Sequence, residues 1–306
     1  MAGHVSYRVT HETTYAYSAK ATSAHQLAHL QPRNTHWQKV RYHRLDIEPL
    51  PVERAEGIDY FGNHVVRFMI DTPHELLRVT AQSVVEIDSY APDAATASPP
   101  WEDALATPVV LDPQADLDLE QYRLASPMVP VLPQAGAYAR ESFAPGRPWL
   151  QAALELTRRI RTEFSYDPKA TTVTTQVSEV LEHKRGVCQD FAHLMLSCLR
   201  TLGLPARYVS GYVLNYVPEG KERLTGADAS HAWVAAHCPG LGWVAFDPTN
   251  GKLADLEFVT LGWGREFSDI SPLSGVVLGG ASQKLSVEVD MRPVTDDGSS
   301  VRDAAA

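Results

Sequence analysis

Cysteine is scarce in this 306-residue chain, with only Cys188, Cys198 and Cys238. An odd, sparse set makes a poor disulfide framework and suits a reducing compartment where a thiol stays free. Long apolar runs are missing too: nothing approaches the 18 or so residues that would cross a bilayer. Positive charge is short, 27 Lys and Arg against 37 Asp and Glu, for a net −10 with His neutral. Binding to a phosphate backbone needs the opposite sign, so nucleic acid is excluded as an expected partner. The opening Met1-Ala2-Gly3-His4-Val5-Ser6-Tyr7-Arg8 has no basic n-region, no apolar h-region and no Gly at position 2 for myristoylation. The expectation is a soluble, cytoplasmic protein with no membrane partner. The three cysteines and the histidines near them lack paired Cys-x-x-Cys or His-x-x-x-His spacing. His25 and His29, although four apart, have no evident third ligand, so no metal site and no cofactor are expected. No internal repeat and no Asp-x-Asp-x-Asp-Gly calcium loop occur.

What is present is an ordinary globular composition, 44% hydrophobic and 21% charged, enough for a sizeable core and about two domains. Residues 1–95 read as strands. Val5–His11 alternates, Val40–Ile47 alternates imperfectly, Asp59–His64 carries a Gly-Asn turn signal ahead of a strand over Val65–Ile70, and Leu77–Ile87 is another β-rich run. Strands at this spacing predict an N-terminal antiparallel β-sandwich. Residues 96–145 are rich in Pro and Ala and predict a long connection with at most a short helix around Leu117–Leu124. A core follows over 146–275, with helices from Trp149 through Ile160 and near Val177–Leu181. Lys284–Met291 alternates cleanly as a strand that could return to a sheet, within a C-terminal strand region over 276–293. The acidic, Ser- and Ala-rich 294–306 is expected to be a frayed tail.

Chemistry concentrates after Gly186. Positions 188, 191, 195, 199 and 202 are apolar at helical spacing, between Gly186 and Gly203. Cys188 therefore stands at the first turn of a buried helix, where unpaired N–H groups and the helix dipole favour a thiolate. Asp190, also in that turn, opposes this. Cys198, in mid-helix, is a core residue, and Cys238 sits in a turn. Ser230–Ala236 and Gly242–Asp247 read as two strands joined by a turn. Pairing Ala236 with Gly242 puts His231 directly opposite Asp247, on one face with Trp233, Ala235, Trp243 and Ala245. Opposed side chains there are within reach of an imidazole–carboxylate hydrogen bond. A carboxylate on one ring nitrogen fixes the tautomer, so the other can take a proton from a nucleophile. A register slip of one residue would separate the pair.

Helix-start Cys, strand His, next-strand Asp is the order of a papain-type thiol enzyme. The sequence resembles the bacterial transglutaminase-like proteins of that superfamily. The motifs are Gly186-Val187-Cys188-Gln189-Asp190-Phe191-Ala192-His193, Gly203–Tyr212, Ser230-His231-Ala232-Trp233 and Phe246-Asp247-Pro248-Thr249. Tyr15-Ala16-Tyr17, Leu30–Arg33 and Asp59–Asn63 are similar to the β-rich region that often precedes this core. The resemblance implies an α+β fold, a β-sandwich followed by a papain-like core whose Cys-bearing helix packs on an antiparallel sheet bearing His and Asp. It implies Cys188 as nucleophile, His231 as base and Asp247 as orienting acid. It also places Tyr166 where an oxyanion donor can stand, and leaves Trp233 and Trp243 as candidate walls of a substrate cleft. The implied reaction is acylation of the cysteine by a carboxamide or peptide amide, then transfer to water or an amine. A peptide, protein or small amide is the implied partner. The rival from another class is a binding or scaffolding module that keeps the fold without turnover. Oligomeric state and the identities of donor and acceptor are not legible.

Overall fold

The computed structural model describes residues 3–105, 119–214 and 230–294. The first strand is far longer than the Val5–His11 alternation predicts. β1 runs His4–Ala28 and is shared by both layers of the N-terminal sheet. Its first half pairs with β5 (His74–Asp88) and β14 (Gln283–Val294), while Ala24–Ala28 pairs with β4 (His64–Ile70) and Ala21–Ala28 with β13 (Leu273–Gly279). β2 (Gln38–Glu48) extends the sheet beyond β5, and β3 (Glu53–Ile58) extends it beyond β4. Between the two halves, the register with β5 slips between Ala16 and Ala21, where a bulge lets a strand turn away. One hydrogen-bonded sheet of seven strands thus folds over on β1. Leu45, Ile47, Leu77 and Val79 of one half meet Ala24, Val66, Phe68 and Ile70 of the other. The predicted sandwich is present as two layers of one continuous sheet, and the C-terminal segment supplies two of its strands.

Between the sheet and the core the structure departs from the expected connection, which allowed at most a short helix around Leu117–Leu124. α1 (Pro133–Arg140) lies there, with Pro133 in the first helical turn. Proline is well tolerated at that position because its missing N–H would have no intrahelical partner. Of that short helix, residues 117 and 118 fall outside the described residues, as do residues 295–306 of the expected 294–306 tail, whose first residue, Val294, instead ends β14.

The core begins with α2 (Trp149–Glu163). The remaining elements in chain order are β6 (Ser165–Tyr166), α3 (Val177–His183), β7 (Arg185–Gly186), α4 (Cys188–Thr201), β8 (Ala206–Val213), β9 (Ser230–Cys238), β10 (Gly242–Asp247), β11 (Lys252–Leu253) and β12 (Phe258–Gly264). All residues of α4 from Asp190 through Arg200 are buried, so the helix is a central strut rather than a surface element. It lies between α1, α2, α3 and a five-stranded antiparallel sheet of order β11-β10-β9-β8-β12. Ala232, Val234, Ala236, Val244 and Phe246 face the helix. The opposite face carries Val209, Trp233, Ala235 and Ala245, closed over by Phe258. Tyr212, Val259 and Leu261 then pack on Tyr7, Val9, Val85 and Met291, joining core and N-terminal sheet in one apolar layer. The result is an α+β protein.

Gly211 shows how tightly the second face is built. It pairs across the ladder with His231, and a Cβ there would stand 2.1 Å from the Val259 carbonyl oxygen and 2.5 Å from the Trp233 ring. Gly211→Ala is expected to lower stability by about 1–3 kcal/mol through this overpacking. Urea denaturation measures it; an unchanged midpoint would show that the two strands part freely.

Candidate active site

The approach to Cys188 is a short crossover. Lys184 ends α3 in the left-handed region at φ 50°. Arg185 and Gly186 then pair in parallel with Ser165 and Tyr166. Val187 is extended, and α4 starts at Cys188. Asp190 closes the helix start: its Oδ2 accepts the Val187 N–H at 2.8 Å and the Thr171 hydroxyl at 2.7 Å. The acid expected to oppose a thiolate is thus engaged in capping the Val187 N–H. Burial raises its pKa, and these two hydrogen bonds pull it back. Gly186 is required beside it, since a Cβ would lie 2.8 Å from the Asp190 side chain.

His231 lies near the start of β9 and Asp247 at the end of β10, and both are buried. The hairpin register differs from the expected one. Ala236 pairs with Val244, and Cys238 with Gly242, so the turn is only Pro239-Gly240-Leu241, with Gly240 and Gly242 at positive φ. The ladder is shifted by two residues, and a shift of two preserves the face of every side chain. His231 and Asp247 are therefore diagonal neighbours rather than directly opposed. Their side chains still meet, with His231 Nε2 2.8 Å from Asp247 Oδ2.

Asp247 does two jobs at once. Oδ1 accepts the N–H groups of Thr249 at 2.9 Å and Asn250 at 3.3 Å, forming the turn. Oδ2 accepts the Asn250 side-chain amide at 2.6 Å as well as facing His231. Asn250 was not singled out from sequence, although the Asp-Pro-Thr-Asn-Gly turn signature contains it. Burial disfavours a charged imidazole, but the charge and hydrogen bond of Asp247, then the hydrogen bond and charge of Cys188, raise His231 to about 10. Burial likewise opposes the Asp247 carboxylate, and His231 with the turn donors holds its pKa below the usual range. With Nε2 committed to the carboxylate, Nδ1 is the nitrogen left for Cys188.

Trp233 is 1% exposed and offers no surface to an open cleft. Its ring stacks beside His231, centroids 6.1 Å apart and 29° from parallel, and Phe258 sits 6.2 Å from the same imidazole. Both back the imidazole. Phe258 carries no sequence signal, because only the fold brings its ring beside His231. Tyr166 stands beside Gly186 at the site's edge, 54% exposed. Burial, then the Cys188 and Asp190 charges, raise its pKa, which places the phenol within electrostatic reach of the sulfur. Trp243 is remote from this group, packed on His237 and Tyr122. Cys198 and Cys238 are buried, and burial pushes both thiols up, Cys238 to about 11. Among the described residues no group of three or more His, Cys, Asp or Glu converges as a metal site.

Helix-start cysteine and hairpin His–Asp pair sit in a fold whose relatives can be recognised. Residues 136–248 match the transglutaminase-like superfamily, and residues 7–86 match the bacterial transglutaminase-like N-terminal region. The chain belongs to this superfamily. It is 38% identical to an uncharacterized protein of Mycobacterium tuberculosis over 97% of this chain and 96% of that one. A protein-glutamine gamma-glutamyltransferase of Pseudomonas aeruginosa is 35% identical over 38% of this chain and 18% of its own length. The crystal structure of a cysteine protease candidate from Cytophaga hutchinsonii shares the fold at a TM-score of 0.74 and 20% identity, covering 96% of this chain and 92% of that one.

Proposed function

We propose that this protein is a cysteine-dependent amide hydrolase or acyl transferase in which Cys188, His231 and Asp247 act as one unit. The observation that carries the reading is the buried His231–Asp247 pair, its second ring nitrogen left for a sulfur at a helix start. The Cys188 sulfur attacks the carbonyl carbon of a carboxamide or peptide amide. His231 gives its proton to the leaving nitrogen, the C–N bond breaks, and ammonia or an amine departs from a thioester. Water or a small amine then attacks the thioester carbon as His231 takes its proton. The C–S bond breaks, and the sulfur recovers its pairing with the imidazolium. The backbone N–H of Cys188 at the helix start donates to the oxyanion, with the Tyr166 hydroxyl at the site's edge as a second donor. Asp247 holds the imidazole, and Trp233 backs it.

Hydrolysis or small-amine transfer is favoured over protein cross-linking, since no calcium-binding loop occurs in the sequence. Three free thiols suit a reducing cytoplasm, and no helix among the described residues is long and apolar enough to cross a membrane. The test is iodoacetamide labelling near neutral pH, followed by a screen of glutamine-containing peptides and small amides for ammonia or amine release. Cys188 is expected to label at least tenfold faster than Cys198 and Cys238. Equal, slow labelling of all three with no release from any amide would overturn the reading in favour of a scaffold.

A further inference from the structure

A pocket lies away from Cys188, where the N-terminal sheet, the connecting segment and the core meet. Its volume is about 380 Å³, within the usual range for small-molecule sites, about 300–1,000 Å³. Its lining includes Arg33, Tyr122, Arg207, His237, Trp243 and Trp263. Arg207 pairs with Ala235 of β9, four residues from His231, which separates it from the His231 site by roughly 13 Å along the strand.

Arg207 is what sets the pocket apart. It is 7% exposed, and its guanidinium lies 3.7 Å from the Trp263 ring centroid and 4.1 Å from that of Trp243. Among the described residues its guanidinium makes no ion pair and no hydrogen bond, and its Nε is sealed without a partner. Arg33 adds a second guanidinium, also 3.7 Å from the Trp263 centroid. Its position is fixed by donation to the Phe61 carbonyl at 2.8 Å and Asn63 Oδ1 at 2.7 Å. Gly62 makes room for it: φ is +78°, and a Cβ would stand 2.7 Å from the Arg33 guanidinium. Burial, together with the Arg33 charge and against the pull of Tyr122, lowers Arg207 to about 9, so it remains a cation at neutral pH. A buried cation ordinarily has an anion or a set of acceptors around it. Among the described residues its guanidinium lies against the Trp243 and Trp263 rings, whose faces attract a cation without using its N–H groups.

We propose that this pocket binds a small organic carboxylate, its oxygens on the Arg207 guanidinium with Arg33 alongside, its apolar body against the aromatic walls. The planar fork of arginine matches a carboxylate in two parallel hydrogen bonds, and the aromatic lining favours an organic anion over a bare inorganic one.

Calorimetric titration of the full chain with benzoate, benzyl alcohol and inorganic phosphate tests the site. Benzoate is expected to bind saturably, and the uncharged alcohol and phosphate are not. Arg207→Gln is expected to weaken benzoate at least tenfold and to leave the ligand-free protein no less heat-stable, because it removes a buried charge without a partner. Arg33→Gln is expected to weaken benzoate several-fold, and it carries the test if Arg207→Gln fails to fold. Absence of saturable benzoate binding would overturn the proposal, as would phosphate binding in its place or wild-type benzoate affinity in the folded variants.

Discussion

Cys188→Ala is expected to abolish turnover on any amide the protein accepts, while its urea midpoint stays close to wild type. The sulfur is the only protein atom in the proposed reaction that bonds to substrate, so no neighbour can substitute for it. The loss should be about a millionfold, the scale on which a whole catalytic unit fails. The fold should survive because the substitution removes one atom from a half-buried position. The helix start rests on Asp190 and Gly186 instead, through the Val187 N–H and the Thr171 hydroxyl. His231→Ala should be nearly as damaging, since it removes the group that protonates the leaving nitrogen. The double variant should be no worse than Cys188→Ala alone, because members of one unit are not additive. Measurement of kcat/KM on a single active amide decides the matter, and substantial activity in Cys188→Ala would end the mechanism.

The elements around this site differ in how far they could be read from the chain. The apolar stripe of α4 and its bounding glycines are local features, and a buried helix starting at Cys188 followed from them. The face shared by His231 and Asp247 was also legible, because a strand's period of two depends only on parity. The register was not. It depended on whether His237–Leu241 formed a loose turn or Pro239-Gly240-Leu241 a tight one, and residue types allow both. α1 was hidden by proline density, which reads as loop unless the proline stands at a helix start. The length of β1 was hidden as well, since a bend in the middle of a strand interrupts its alternation. Phe258 behind the imidazole and the Arg207 pocket were invisible for a different reason. Each depends on contacts between segments far apart in the chain, and an arginine in a sequence is by default a surface residue.

Asp247→Asn should damage both rate and stability, and the pH dependence of the second effect separates charge from shape. The side chain is fully buried and accepts hydrogen bonds from two backbone N–H groups and the Asn250 amide while facing the imidazole. An asparagine has one acceptor oxygen. Whichever way it turns, its NH₂ points at a donor, either at the Thr249 side or toward Asn250 and His231. Breaking a buried ion pair in this way costs about 3–5 kcal/mol. The rate should fall by roughly three to four orders of magnitude, less than for Cys188→Ala, as when a triad's imidazole loses its tautomer. His231 is raised in the folded state, so its share of the pair's stability is complete below the unfolded histidine value of about 6.5 and fades as pH rises through the folded value. Asp247 is lowered, so its share is complete above the unfolded aspartate value of about 3.9 and fades as pH falls through the folded one. Wild type and Asp247→Asn should therefore differ most between about pH 4 and 6.5, the gap narrowing in alkali to the cost of the lost turn hydrogen bonds. Urea denaturation of both proteins at pH 5.5 and at pH 9.5 tests this, and an equal gap at the two would mean that Asp247 contributes turn geometry alone.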